Sequence, residues 1–505
     1  MTTLIKNVIL IDGSGRSSHK ADVLVRDKKI IAIGSFPSYK ADKVILGNES
    51  YLAPGFIDFN NTSDRYLTLF SSPLCKDFLK QGVTTILIGH CGFSLAPNLY
   101  GSLNHLWSWS KTNHINLDWK GVGEFLNSLE KQGKIGPNLA TLVGHRVIRE
   151  DIMKNPQTFR DLTANEIRVF RFILSQSLKE GAFGMSAGLG YYPYQNISYY
   201  ELRALLDIVK QLKGIFTVHL KDEKRFIIDS VKEILRLAQE IGIVTVISHL
   251  RPFLGFEENF NQALSLIEEK SNQVEVYFDV NPFDLSAVPI DNFIPESIKN
   301  ADRELILEKL DDSKIAKEVK KLLPSLKLEE VVILNAPGLE KLNGKTLKEF
   351  ASNRNLKEEK EVLLSLMKET RLRAVILYRN LNDSEIEKSL LSSRSLISSN
   401  SPNFDDLPLT FKPERAFKSF PAFLKKTSSL GLSIEKAIYK ISGLPAKILK
   451  LEKRGMISDG YFADLVIFNK DFEIKTVFVN GQIAVDEGEL NPNFKGGGEV
   501  LRHRP

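Results

Sequence analysis

The chain has 505 residues, 43% of them hydrophobic and 26% charged, which is room for a large α/β unit plus a second module and gives no sign of disorder. Its 68 cations against 62 anions leave a formal charge of +6, a weak excess for this length, and no basic run alternates with aromatics, so nucleic acid is not an expected partner. Two cysteines, Cys75 and Cys91, cannot build a disulfide framework; no apolar window reaches about 18 residues and no cleavable leader opens the chain, so no membrane span is expected and a reducing cytoplasm is the default compartment.

Residues 1 to about 52 predict short strands: LIKNVILID, a Gly-Ser-Gly turn, then DVLVRDKKIIAIG with a hairpin turn at Asp-Lys-Lys. The sequence changes at LAPGFIDFNNTSD, where a Pro-Gly turn leads into a short strand and then a polar run. Next come a helix-like LCKDFLKQG and the strand VTTILIGHCGFSLAP, whose Gly-rich exit carries His90 and Cys91. NLATLVGHRVIRE predicts another strand, with His145 at its end. An amphipathic helix follows in TANEIRVFRFILSQSLKEG, capped by Thr163 with Glu166 three residues on, and then a strand ending near Ser186.

GIFTVHLKDE and GIVTVISHLR are β-branched runs that stop at His219 and His249, thirty residues apart, with the helical pattern FIIDSVKEILRLAQEIG between them. That is a βαβ unit, and it should bring both imidazoles to the carboxyl end of one parallel sheet. VEVYFDVNPF places Asp279 in the following strand. The rhythm then breaks into charged segments over about 289–346, which predicts an insertion after the seventh strand, before RSLISSNS at 394–401. Eight strand starts separated mostly by helices fit an α/β (β/α)8 barrel. From Gly455 the pattern is β again, with a hairpin at Asn480-Gly481. The two β-rich ends are expected to pair into one module; two unrelated β segments are the alternative.

Seven stretches, LAPGFID, QGVTTILIGHCGFSLAP, LVGHRVIR, GAFGMSAGLGYYP, TVHLKDE, VISHLR and GMISDGYFADLVIFN, resemble the N-acyl-D-amino-acid deacylases, the D-aminoacylase branch of the amidohydrolase superfamily. The likeness runs in the same order from about residue 4 to 502. It implies a distorted (β/α)8 TIM-like barrel over 54–450 and a β-sandwich built from 1–53 and 451–505. It also implies zinc at the strand ends and hydrolysis of a carbon–nitrogen amide bond in a small N-acyl amino acid or related amide.

In that branch the firmly held zinc has a cysteine after the second strand and histidines after the fifth and sixth, and Cys91, His219 and His249 stand at those positions. One Zn2+ per chain is therefore expected. Thiolate and imidazole are ligands zinc prefers, and three of them leave a fourth position open. For each residue alone, packing or a satisfied hydrogen bond is the alternative.

The remaining positions depart from the family. Its D-x-H-x-H is here Asp58, Asn60 and Thr62, so a second metal is not expected. Its general acid/base aspartate is Asn400, and its His-Pro-Arg is Lys412-Pro413-Glu414, with Arg415 one residue late. A glycine expected after Pro193 is Tyr194. Tyr191, Lys221, Arg251 and Arg415 are the candidate substrate-binding residues, with ion pairing as the alternative for Lys221 and Arg251. His90, beside Cys91, should face away from the metal because adjacent residues of a strand face opposite ways. Asp64, Asp222, Glu223, Asp279, Asp405 and Asp406 are expected on solvated loop faces. Two functions follow: a one-zinc hydrolase with no identified base, or a catalytically silent relative acting as a binding or assembly subunit. They part on Asn400.

Overall fold

The computed structural model describes residues 1–100, 117–153, 159–191, 193–295, 298, 303–405 and 412–505. The N-terminal segment forms β1 (Thr2–Leu10), β2 (His19–Arg26), β3 (Lys29–Gly34), β4 (Lys43–Leu46) and β5 (Tyr51–Pro54). β2 and β3 pair antiparallel, and Asp27 turns between them with φ 51°.

Parallel strands follow. β6 (Phe56–Asp58), β7 (Val83–Ile88) and β8 (Asn138–Thr141) form one sheet in that order. β9 (Val143–Gly144), β10 (Gly184–Gly188), β11 (Ile215–His219), β12 (Thr245–Ile247) and β13 (Val276–Val280) continue in a second. Only Leu142 separates β8 from β9, and its N–H still donates to the Ile88 carbonyl at 2.9 Å. β10, β11 and β13 are buried at every position, as expected of strands covered on both faces.

The covering helices are amphipathic. Helix Ile227–Ile241 turns Ile227, Val231, Ile234, Leu235 and Ala238 inward and stops at Gly242, whose φ of 67° ends a helix without a Cβ penalty. At Gly184 strand approach decides the residue: a Cβ there would lie 2.0 Å from the Ile215 carbonyl oxygen.

The insertion is a body with its own core. β14 (Leu285–Pro289), β15 (Val332–Asn335) and β16 (Val375–Arg379) make an antiparallel sheet, ordered β14-β16-β15, packed on Phe350, Val362, Met367 and neighbouring buried apolar residues. Its ends pair directly, Leu285 with Arg379, so it extends past the 346 boundary expected from sequence. The helix-then-strand pattern of 347–379 imitates another α/β unit of the parallel sheet, and its pairing with β14 and β15 assigns it elsewhere. β17 (Ser395–Ile397) then returns to pair with β13. Just past the strand ends, Asn400 N–H donates to the Asn60 carbonyl at 2.9 Å and Thr62 N–H to that of Ser401 at 3.2 Å, so the last parallel strand meets the first.

The C-terminal segment supplies β18 (Leu465–Phe468), β19 (Ile474–Val479), β20 (Gln482–Asp486) and β21 (Glu489–Leu490). With the N-terminal strands they form one continuous nine-stranded sheet, β21-β20-β19-β18-β5-β1-β2-β3, with β4 also on β1. Asn480 (φ 47°) and Gly481 (φ 77°) make the β19–β20 turn, the left-handed pair that an Asn-Gly hairpin favours. Among the described residues no helix is long and apolar enough to cross a membrane.

Arg454 ties this sheet to the parallel strands. It is 5% exposed and donates to Asp464, to Asn480 Oδ1 at 2.9 Å and to Glu499 Oε2 at 2.6 Å, while Asn138 of β8 donates to Asp464 at 3.0 Å. Arg454→Met would strand a buried carboxylate, which typically costs about 3–5 kcal/mol. The expected result is a clear fall in the urea midpoint of unfolding.

Candidate metal centre

Three strand ends deliver the centre. Cys91 stands three residues past β7, His219 ends β11 and His249 stands two residues past β12. One ligand atom from each lies within 4.8 Å of the others. Cys91 Sγ is 3.3 Å from His249 Nε2, and the two imidazole rings stand edge to face with centroids 4.5 Å apart. Cys91 (φ 56°), His249 (φ 41°) and Asn400 (φ 43°) are all left-handed, a conformation that costs a side-chain-bearing residue about 1–2 kcal/mol and gathers at functional sites.

Glu223 organises the imidazoles. Its carboxylate lies 3.2 Å from His219 Nε2 and 3.1 Å from His249 Nδ1, and it pairs with the Arg251 guanidinium. Below, the His249 N–H donates to Asp279 Oδ2 at 2.9 Å, and Asp279 also accepts from Ser398 at 2.5 Å and from Asn60 Nδ2 at 3.2 Å.

Charge is balanced tightly here. Burial alone would push the Cys91 thiol up, but His249, Arg65 and hydrogen bonds from both imidazoles outweigh it and hold the sulfur well below the usual thiol range. Burial likewise opposes charge on His219, yet Glu223, Tyr191 and Cys91 raise it well above the ordinary imidazole value. Glu223 is held well below the carboxylate range, since Arg251 and the two imidazoles overcome its burial.

The other expected residues divide. The Tyr191 ring stands edge-on to His219, centroids 4.7 Å apart. Arg251 is beside the centre through Glu223. Arg415 and Asn400 line one recess together with His249 and Arg251. The Nε of Arg415 is buried without a hydrogen-bond partner among the described residues, and burial pulls this arginine down to about 10. Lys221, by contrast, pairs at 2.7 Å with Glu233 on the helix after β11, so its ammonium is engaged away from the centre. Lys412 is likewise committed, at 2.9 Å from both oxygens of Asp77.

The carboxylates were expected in solvent, and several are not. Asp64 and Asp279 are 2% and 0% exposed because they accept backbone N–H groups at strand ends, Asp64 from Gly89 at 2.9 Å. Burial raises Asp64 to about 6. Asp222 accepts from the N–H groups of Lys224 and Phe226 at 2.8 Å, and Asp405 from Lys76 at 3.0 Å; Asp406 lies outside the described residues. His90 is 1% exposed and outside the group of Cys91, His219 and His249, and burial lowers it to about 4. His145 begins helix His145–Met153, where it and Arg149 lie 2.8 and 3.0 Å from buried Glu201.

One residue went unread in the sequence. Arg65 donates to the His90 carbonyl at 3.0 Å, lies 4.6 Å over the Phe93 ring, and is close enough to Tyr191 and Cys91 for their charges to act on it. It sits in the polar run after β6, and its only signal is a cation placed just beyond the degenerate Asn60 and Thr62.

The amidohydrolase family model matches residues 98–484. A D-aminoacylase of Alcaligenes xylosoxydans xylosoxydans is 28% identical over 476 residues, covering 92% of this chain and 87% of its own. The solved N-acyl-D-glutamate deacylase from Bordetella bronchiseptica, complexed with zinc and a phosphonate inhibitor, superposes with a TM-score of 0.80 at 24% identity over 99% of both chains. A D-aminoacylase with a binuclear metal centre, described as activated by one metal and attenuated by the second, gives a TM-score of 0.77 at 24% identity, again over 99% of both.

Proposed function

The chain belongs to the amidohydrolase family, and from that membership we propose that it is a one-zinc hydrolase of N-acyl amino acids. In this proposal the parallel strands make a distorted (β/α)8 barrel over 54–450, and the terminal sheet folds as a β-sandwich from 1–53 and 451–505. The observation that carries the proposal is the convergence of Cys91, His219 and His249 within 4.8 Å.

The donors suit the metal. A thiolate and two imidazoles are a zinc set with room for a fourth ligand, and the buried Nδ1 of His219 has no hydrogen-bond partner among the described residues. Bound by these three side chains, zinc would supply Lewis acidity, polarising an amide carbonyl and activating water for attack. Glu223 fixes the orientation of both imidazoles, as outer-shell carboxylates do for metal-ligating histidines. Arg415 and Arg251 offer guanidinium donors to a substrate carboxylate in the recess they share with Asn400. Tyr191 walls the His219 side.

Asn400 favours a second reading. Its amide can hold a water through Oδ1 but cannot take its proton, and loss of general acid–base help costs about 10² to 10⁴ in rate. A silent binding subunit would keep the same centre and lack turnover. Loss of second-metal ligands at Asn60 and Thr62 does not by itself favour silence, since a binuclear relative is described as attenuated by its second metal.

Elemental analysis joined to a hydrolysis screen over D- and L-N-acyl amino acids tests both readings. About one zinc per chain with slow release of a free amine is expected. Zinc without release above background supports the silent subunit, and protein isolated metal-free from zinc-replete cells overturns both.

A further inference from the structure

Cys91 reaches the centre on a strained turn. The Phe93 N–H donates to the His90 carbonyl at 3.1 Å, closing a turn over 90–93 whose central residues, Cys91 (φ 56°) and Gly92 (φ 81°), are both left-handed. Type I′ turns require this backbone, which glycine adopts freely and cysteine does not. A conformation of that kind persists only where its surroundings over-determine it. Neighbouring elements supply two holds. The Gly92 N–H donates to Ser186 Oγ of β10 at 3.0 Å, and the Gly92 carbonyl accepts from the N–H of Arg146, in helix His145–Met153, at 3.1 Å.

The third hold is Arg65, and it grips both ends of the turn. Its Nη2 donates to the same His90 carbonyl at 3.0 Å, and its guanidinium lies 4.6 Å over the Phe93 ring. The Cys91 sulfur belongs to the residue between those two points, and its charge and that of Arg65 act on each other. The guanidinium also bonds Tyr191, whose ring is edge-on to His219, so one side chain touches the surroundings of two ligands. Its own backbone is fixed: Arg65 N–H donates to the Thr62 carbonyl at 3.1 Å and to Asp64 Oδ1 at 3.0 Å. Asp64 Oδ2 in turn accepts from Gly89, the residue before His90, at 2.9 Å. The run after β6 offers no imidazole at Asn60 or Thr62, and Arg65 is a cation that it brings to the sulfur.

We propose that Arg65 is a positioning residue for the metal ligand Cys91, bracing the 90–93 turn and balancing the thiolate's charge so that the sulfur is presented to a single bound ion. The proposal rests on the one-zinc reading above and does not depend on turnover. Substitution separates its two parts. Arg65→Gln keeps a donor for the His90 carbonyl without the charge, and Arg65→Lys keeps the charge without the planar fork that spans carbonyl and ring.

Zinc affinity of the full chain, read by competition with a chromophoric chelator, should fall about 10- to 100-fold in Arg65→Met, the usual cost of losing a group that orients a metal ligand from outside. Arg65→Gln and Arg65→Lys should fall between that variant and the parent. With Co2+ in place of zinc, the thiolate-to-cobalt charge-transfer band should weaken or shift in Arg65→Met, because the sulfur is presented differently. Arg454→Met, which loosens the tie to the terminal sheet instead, should leave affinity and band at the parent's values; an equal loss there overturns the proposal. Parental zinc affinity and band in folded Arg65→Met also overturn it and leave the one-zinc centre standing. Should Arg65→Met not fold, the other two variants decide: both at the parent's values overturn the proposal, and a fall in either supports it. A parent that binds neither zinc nor cobalt overturns this proposal and the one-zinc reading together. A parent that binds zinc without hydrolysis sinks the hydrolase and spares the role of Arg65.

Discussion

Cys91→Ala is expected to take metal content from about one ion per chain to a small fraction of that after dialysis. In the proposed centre the sulfur is the only anionic ligand of the three, and zinc held by one thiolate and two imidazoles loses both a ligand and its charge balance when the thiolate goes. The same substitution removes the largest influence that raises His249 against its burial, leaving Glu223 as the other one. Glu223 should remain paired with Arg251 and beside His219, whose raised value it does most to support. The variant should therefore fold, showing a far-ultraviolet spectrum like that of the parent while elemental analysis shows the metal gone. Full retention of one zinc in this variant would remove Cys91 from the centre and with it the one-zinc mechanism.

Much of that centre was legible because it obeys a simple register. A β-branched run ending in a polar residue predicts a strand with its chemistry at the carboxyl end, and both histidine strands and the strand before Cys91 follow it. The Asn480-Gly481 hairpin was readable for a related reason, since its two left-handed residues are encoded locally. Arg65, the pairing of His145 with Glu201, and the burial of Asp64 and Asp279 were not readable, because each depends on what arrives from far along the chain. Asp279 is buried by partners at Ser398 and Asn60, and Asp64 by the N–H of Gly89. Lys221 illustrates the converse. Two residues past His219 it was open to a substrate anion or to an ion pair, and the helix after β11 offers Glu233 at 2.7 Å, so the ion pair forms. The insertion boundary failed for the same cause as the carboxylates: the pairing of Leu285 with Arg379 leaves no mark on either segment alone.

Asn400→Asp is expected to raise kcat/KM for N-acyl amino acid hydrolysis by about 10² to 10⁴, the usual contribution of a placed general acid–base group. The backbone there is ready for it. Asn400 is left-handed at φ 43°, a region aspartate tolerates nearly as well as asparagine, and its N–H is already held by the Asn60 carbonyl at 2.9 Å. The side chain lines the recess shared by His249, Arg251 and Arg415, so a carboxylate introduced there would sit beside two guanidiniums that favour its ionised form. Asn60→His and Thr62→His are a separate step with a separate readout. Asn60 is fully buried and bonded to Asp279, so the larger imidazole should cost stability through overpacking, about 1–3 kcal/mol, even as it restores a ligand. Metal content should then rise from about one to about two ions per chain in a variant carrying both histidines. If zinc-loaded, folded Asn400→Asp hydrolyses no faster than the parent, the proton does not pass through this position. The silent-subunit reading then gains, because a centre that keeps its ligands and its arginines but cannot be revived at Asn400 is built to hold its ligand and not to cleave it.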